Sequence, residues 1–194
     1  MSKLQELIQQ YCPNGVEYKK LGEICEVLRG KRLTRRDLSS GGVFPVYHGG
    51  IEPIGYYSQK NRKANSAMII NVGASAGTVG FSDKDFWSSD GCFCFSHNDQ
   101  LNQRFLFFVL QSVESLIKSK VRKAGIPTLD NKDVERIIIP IPHIEIQNEI
   151  VRILDNFNNL AAELQAELQA RQEQYEYYRN KLLTFNEIGG VFKE

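Results

Sequence analysis

The chain has 194 residues, 42% of them hydrophobic and 24% charged, with a formal net charge of +1. That composition excludes a wholly disordered chain. No apolar run reaches the ~18–20 residues that a membrane-spanning helix needs. Cysteines at 12, 25, 92 and 94 do not make a disulfide framework in a chain this long. With an amphipathic rather than signal-like N-terminus, they point to a reduced, cytoplasmic protein. The net charge hides an asymmetry. Residues 1–144 carry 19 Lys+Arg against 14 Asp+Glu, a net +5, and residues 145–194 carry 5 against 9, a net −4. A basic body joined to an acidic tail predicts two different jobs.

Residues 3–11 read as a short helix, closed by the turn signal Pro13-Asn14-Gly15. Val16 to Leu28 has mixed periodicity, consistent with a strand and a short helix. Residues 29–42 are basic, end in Ser39-Ser40-Gly41-Gly42 and read as a loop. From 43 to 96 the pattern changes to short β-type runs: 44–47, 66–72, 77–81 and 91–95, separated by Gly, Ser, Asn and Asp. Residues 101–121 return to helical period, with Leu101, Phe105, Phe108, Val109, Ser112, Leu116 and Val121 approximating one face. Gly125-Ile126-Pro127 stops that helix, and Thr128 or Asp130 can cap a short turn after it. Ile137 to Pro142 is β-branched and flanked by proline, as expected of a strand at the edge of the domain.

Glu145 to Leu183 contains neither Pro nor Gly. Ile146, Ile150, Ile153, Phe157, Leu160 and Leu164 follow one another at spacings of 4, 3, 4, 3 and 4, which is a heptad seam. The seam shifts at Leu168 and resumes at Tyr175, Tyr178 and Leu182. Such a helix spans roughly 58 Å at 1.5 Å per residue, more than a domain of this size can cover. The chain has no second long heptad segment. The seam therefore predicts a partner helix from another molecule rather than a fold back onto its own domain.

The motifs of common catalytic sites are missing. Gly30-Lys31 is followed by Arg32 and Leu33, so no phosphate-binding P-loop is completed. Gly73-Ala74-Ser75-Ala76-Gly77 reads as a small-residue turn between two strands. Cys92 and Cys94 alternate along one strand without a second pair at ligand spacing, which argues against zinc. His48, His97 and His143 are scattered and lack the setting of a nucleophilic triad. No Asn-Pro-Pro-aromatic methyltransferase motif is present. The chain alone is not expected to be an enzyme, nor to need a cofactor or a metal.

Three basic clusters stand out: Arg29, Lys31, Arg32, Arg35 and Arg36; Lys60, Arg62 and Lys63; and Lys118, Lys120, Arg122 and Lys123. Each adjoins a Gly/Ser/Asn-rich turn or a helix end, where backbone can approach a phosphate. One such cluster is commonly a solvated face. Three in a domain of net +5 point to a polyanion, with Lys and Arg supplying phosphate contacts and other side chains reading base edges. The expected backbone contacts are Lys31, Arg32, Arg35, Arg36, Lys60, Arg62, Lys63, Arg122 and Lys123. Tyr47, His48, Tyr56 and Tyr57 lie near the second cluster, in reach of sugars or base edges. Tyr56, Tyr57, Ser75 and Thr128 are expected to touch bases or hold the recognition loops.

In order and spacing, several stretches together resemble the specificity subunit of type I restriction–modification systems. They are Leu21-Gly22-Glu23-Ile24 with Arg29-Gly30-Lys31, Phe44-Pro45-Val46-Tyr47 through Gly55-Tyr56-Tyr57, and Gly77-Thr78-Val79-Gly80. Gly125-Ile126-Pro127-Thr128-Leu129 and Ile139-Pro140-Ile141-Pro142 follow, leading to Gln147 and to Ile150-Val151, Ile153, Leu154 and Asp155. Tyr175, Tyr177-Tyr178-Arg179, Lys181-Leu182-Leu183 and Phe185 close the series. The resemblance covers nearly the whole chain. It implies a non-catalytic subunit whose target-recognition domain reads one half of a bipartite site in double-stranded DNA. It implies a helix that sets half-site spacing and docks modification subunits, which are S-adenosylmethionine-dependent methyltransferases. ATP-dependent restriction subunits complete such assemblies.

The family usually has two recognition domains and two helices, and this sequence has one of each. It is then either a natural half-subunit or a fragment. A half-subunit is expected to form a homodimer through Ile150, Ile153, Phe157, Leu160, Leu164, Leu168 and Tyr175, reading an interrupted palindrome. His143 stands where the family often has a second proline, and Ile146 where a polar residue is usual. The expected fold is α+β: a target-recognition domain over 1–143, a long spacer and dimerisation helix over 144–184, and a tail over 185–194. The competing expectations are a coiled-coil protein adaptor and the recognition component of a combined restriction–methylation enzyme.

Overall fold

The computed structural model describes residues 2–38 and 41–184, except for the side chains of Arg35 and Thr184. The expected tail over 185–194 lies outside the described residues. Contacts divide the chain into two units, Met1–Val151 and Arg152–Glu194.

The first unit is α+β. Helix α1 (Lys3–Tyr11) begins on a capping box: the Ser2 hydroxyl accepts the Gln5 N–H at 3.3 Å and the Gln5 side chain accepts the Ser2 N–H at 2.9 Å. Strand β1 (Glu17–Lys20), the single turn α2 (Leu21–Ile24) and strand β2 (Val27–Arg29) resolve the mixed stretch before residue 29. The basic loop that follows contains one 3₁₀ turn, Arg35–Asp37. Strands β3 (Phe44–Tyr47), β4 (Gly55–Tyr57), β5 (Ser66–Ile70), β6 (Val79–Ser82), β7 (Trp87–Ser88) and β8 (Cys92–Phe95) make up the middle of the chain. Of these, β4 and β7 have no clear signal in the sequence, being three and two residues long.

An antiparallel sheet of order β2-β8-β5-β6 forms the centre. Its middle strands are apolar along both faces, and alternate residues serve two cores. Ala67, Ile69, Phe93 and Phe95 face the larger core, with Leu21, Phe105, Leu106 and Leu110. Met68, Ile70, Cys92 and Cys94 face a smaller core, with Tyr47 and Phe86. The cysteines are thus small core residues, as their alternation predicts. The second sheet, β4-β3-β7, combines an antiparallel and a parallel pairing.

Helices α3 (Gln103–Ser112) and α4 (Glu114–Ser119) occupy the stretch expected to form one helix. Val113, at φ −111°, breaks it and changes the buried face. Phe105, Leu106, Leu110 and Ile117 are buried, whereas Leu116, expected inside, is 53% exposed. Asp130 caps the short α5 (Asn131–Glu135) by accepting the Lys132 N–H at 2.9 Å. Strand β9 (Ile138–Ile141) then pairs with β1 to form a two-stranded ribbon joining the two ends of the unit.

Helix α6 runs from Ile144 to Thr184, 41 residues. Its first two turns belong to the globular unit. Ile146 is 2% exposed, and Ile150 and Val151 pack against the larger core. Gln147, fully buried, accepts the Asn102 N–H at 2.9 Å and donates to the Gln100 and Pro142 carbonyls, both at 2.9 Å. His143 stacks flat on Tyr11 at 4.0 Å between ring centroids, and Lys3 pairs with Glu149 at 3.1 Å. Ile150, expected in the dimer seam, is partly buried against the core of the first unit, and Ile153 is half-buried. In the second unit Phe157, Leu160, Leu164, Leu168 and Tyr175 are 51–65% exposed.

The ribbon register gives a test. Ile139 is fully buried and Ile138, its neighbour, is 61% exposed. Ile139→Ala is expected to cost about 2–5 kcal/mol in denaturant unfolding. Ile138→Ala is expected to stay within about 0.5 kcal/mol of the parent. Equal costs would mean that the register is wrong.

Candidate nucleic-acid interface

The first two basic clusters meet around β7. The Lys31 N–H donates to the Ser88 carbonyl at 2.9 Å, and the Trp87 indole N–H donates to the Lys31 carbonyl at 2.9 Å. Asn61 donates to the same Ser88 carbonyl at 2.9 Å. This approach depends on Gly30. A Cβ there would lie 1.9 Å from the Ser89 carbonyl oxygen and 2.5 Å from that of Ser88, both of them backbone atoms.

The third cluster joins the turn between β5 and β6. Thr128 pairs through its backbone with both Arg122 and Val72, and the Gly73 N–H donates to the Pro127 carbonyl at 2.9 Å. Gly73 and Gly77 have φ of 92° and 87°, which supply the sharp turn. The remaining link is Gly91. A Cβ at that position would meet Gly49 N at 2.9 Å and His48 Nδ1 and Val72 Cγ1 at 3.0 Å. Loops 29–36, 48–50, 72–77 and 121–128 thus form one connected run, although they are far apart in sequence.

The cations along this run are not equivalent. Lys60 donates to Asp85, and that bond, with the Ala64 N–H, holds the Asp85 carboxyl below its ordinary pKa. Arg62 donates to the Asn61 carbonyl at 2.8 Å and the Arg29 carbonyl at 2.9 Å, tying the first two clusters together. These two expected phosphate contacts therefore have partners within the chain. Lys118 pairs with Glu114 at 2.5 Å. By contrast, Lys31, Arg32, Arg36, Lys63, Arg122 and Lys123 are exposed and form no ion pair with a described residue. Tyr56 is 51% exposed, whereas Tyr57 packs edge-on against Trp87 at 5.1 Å. Ser75 is half-buried in its turn, and the Thr128 hydroxyl donates to the Ile126 carbonyl at 2.9 Å.

Of the residues within this run, the sequence points to His48 as a candidate contact to sugars or base edges but misses Asp90, whose only signal is a polar residue beside glycine in Asp90-Gly91. Among the described residues no group of three or more His, Cys, Asp or Glu stands close enough to hold a metal. Burial raises the Cys25 thiol to about 12, leaving it protonated and unreactive near neutral pH. No helix among the described residues is long and apolar enough to cross a membrane.

The fold and the basic loop run define an α+β domain with an uncovered polycation face and a long helix. The type I restriction modification DNA specificity domain matches residues 13–174, and the chain belongs to that family. It is 30% identical over 173 residues to a putative type I specificity subunit of Mycoplasma pneumoniae, covering 84% of this chain and 46% of that one. A putative type I restriction enzyme specificity subunit of Haemophilus influenzae is 30% identical over 193 residues, covering 92% of this chain and 49% of the relative. The chain spans about half the length of these relatives. The S subunit crystal structure from M. genitalium shares the fold, with a TM-score of 0.68 at 20% identity, covering 90% of this chain and 48% of that one. The HsdS subunit from Thermoanaerobacter tengcongensis gives 0.60 at 21% identity, covering 84% and 44%.

Proposed function

We propose that the chain is a non-catalytic, sequence-specific DNA-recognition module of a type I restriction–modification system. The connected run of basic loops carries this reading, in a domain whose family is defined by DNA specificity. Lys31, Arg32, Arg36, Lys63, Arg122 and Lys123 set register on the phosphates, and Arg35 belongs to the same loop. Lys60 and Arg62 brace the loops that present them. Base-edge contacts come from side chains between the cations.

The helix supplies the second job. From Phe157 onward its apolar residues are exposed, and a strip of that kind is stabilised by a partner helix. A second copy, related by a two-fold axis, satisfies the same seam on both chains. Two identical domains then read two identical half-sites. The seam runs from Phe157 through Leu160, Leu164 and Leu168 to Tyr175, with Ile150 and Ile153 preceding it on the same face. Modification subunits dock on the paired helices, and ATP-dependent restriction subunits join through them.

Two outcomes are expected. Lys31→Ala combined with Arg36→Ala weakens binding to unrelated duplexes alike, and lowers the slope of log affinity against log salt by about 2. Fluorescence anisotropy across a salt series measures this, and salt-independent binding would contradict the DNA reading. Phe157→Asp with Leu164→Asp converts a dimer into a 22.1 kDa monomer in light scattering. The globular unit keeps its near-ultraviolet circular dichroism. An unchanged mass would refute the seam.

A further inference from the structure

In the middle of the basic loop run lies an open hollow of about 580 Å³. Arg32, Thr34, His48 and Asp90 give it polar walls, and Leu33 and Val72 apolar ones. His48 Nδ1 lies 3.3 Å from Asp90 Oδ1, the two side chains being 42% and 32% exposed. The pair lacks the alignment of a hydrogen bond, and His48 Nδ1 has no hydrogen-bond partner among the described residues. Asp90 Oδ1 accepts the Ser89 hydroxyl at 3.2 Å, while the Ser89 hydroxyl oxygen accepts the Leu33 N–H at 3.2 Å. The carboxylate is therefore held by the same loop contacts that place Lys31 and Arg32.

A carboxylate at this place is unfavourable for holding a phosphate. It faces the polyanion that the surrounding cations attract, and it lowers the general affinity of the surface. What it can accept is an N–H donor. On duplex DNA those donors in the major groove are the exocyclic amino groups, cytosine N4 and adenine N6.

We infer that Asp90, with His48 against it, reads the exocyclic amino group of one base pair in each half-site, while Arg32 on the rim supplies a donor to the neighbouring acceptors. His48 is a positioning residue: its ring flanks the carboxylate, with Nδ1 3.3 Å from Asp90 Oδ1. This assignment rests on the DNA-recognition reading above.

The test is selection from a randomised 40-base-pair duplex library by the full chain, followed by anisotropy on the enriched duplex and on random duplex. The parent enriches a motif with a cytosine or adenine amino group at the position concerned. Asp90→Ala lowers preference at that one base pair by on the order of tenfold. It raises affinity for random duplex by roughly threefold, because one negative charge leaves the surface. A merely structural role for Asp90 lowers both. His48→Ala relaxes the same base pair without the gain on random duplex, and carries the test if Asp90→Ala fails to fold. An unchanged motif with either folded variant overturns the assignment, and so does random-duplex affinity that falls with Asp90→Ala. A parent that binds with strong salt dependence but enriches no motif overturns it too, while leaving the phosphate contacts standing. A parent without salt-dependent binding sinks the underlying DNA reading as well.

Discussion

The connected run of basic loops depends on one close approach. Gly30 lies so near the Ser88 and Ser89 carbonyls that no side chain fits between them. That contact aligns the Lys31 N–H with Ser88 and the Leu33 N–H with the Ser89 hydroxyl. It brings a flexible basic loop onto β7, where Asn61 brings the second cluster. Fixing a loop costs roughly 1–2 kcal/mol per residue in backbone entropy. In the proposed role, ordering the loop before it meets DNA leaves more of the contact energy for affinity and selectivity. Gly91 does the equivalent for His48, Gly49 and Val72. Two glycines thus gather loops from four parts of the chain.

The helix divides its work along its length. Its base is held by side chains that the body supplies: Gln147 in a buried three-bond lock, Ile146 and Ile150 in the core, and Glu149 against Lys3. Burying the Gln147 amide is tolerable because its oxygen and its nitrogen are both satisfied. Further along, the same period continues with its apolar residues exposed among the described residues. The acidic balance of residues 145–194 keeps this stretch apart in character from the basic loops.

Much of this was legible in the sequence, and the exceptions have physical causes. The long helix and strands β3, β5, β6 and β8 follow from period and punctuation. The break at Val113 was not legible, because no Gly or Pro marks it, and it moved the buried face from Leu116 to Ile117. Strands β4 and β7 are too short to show an alternation. The heptad count places Ile150 in the seam, but periodicity cannot tell that the domain core also packs against part of it. The clusters were legible as charge, but Lys60 with Asp85 and Arg62 with the Arg29 carbonyl are long-range pairings that no local pattern encodes. His48 was legible as a candidate contact, but its pairing with Asp90 was hidden for the same reason, the two being 42 residues apart in sequence.

The central claim is that two identical recognition domains, joined through their helices, direct modification to a two-fold symmetric site. The most direct measurement is a methylome. The chain is co-expressed with a cognate modification subunit in a methylation-free host, and modified adenines are mapped by single-molecule sequencing. The account predicts one palindromic motif interrupted by a gap of fixed length. An asymmetric bipartite motif, or no modification when both proteins are soluble and associated, would contradict it.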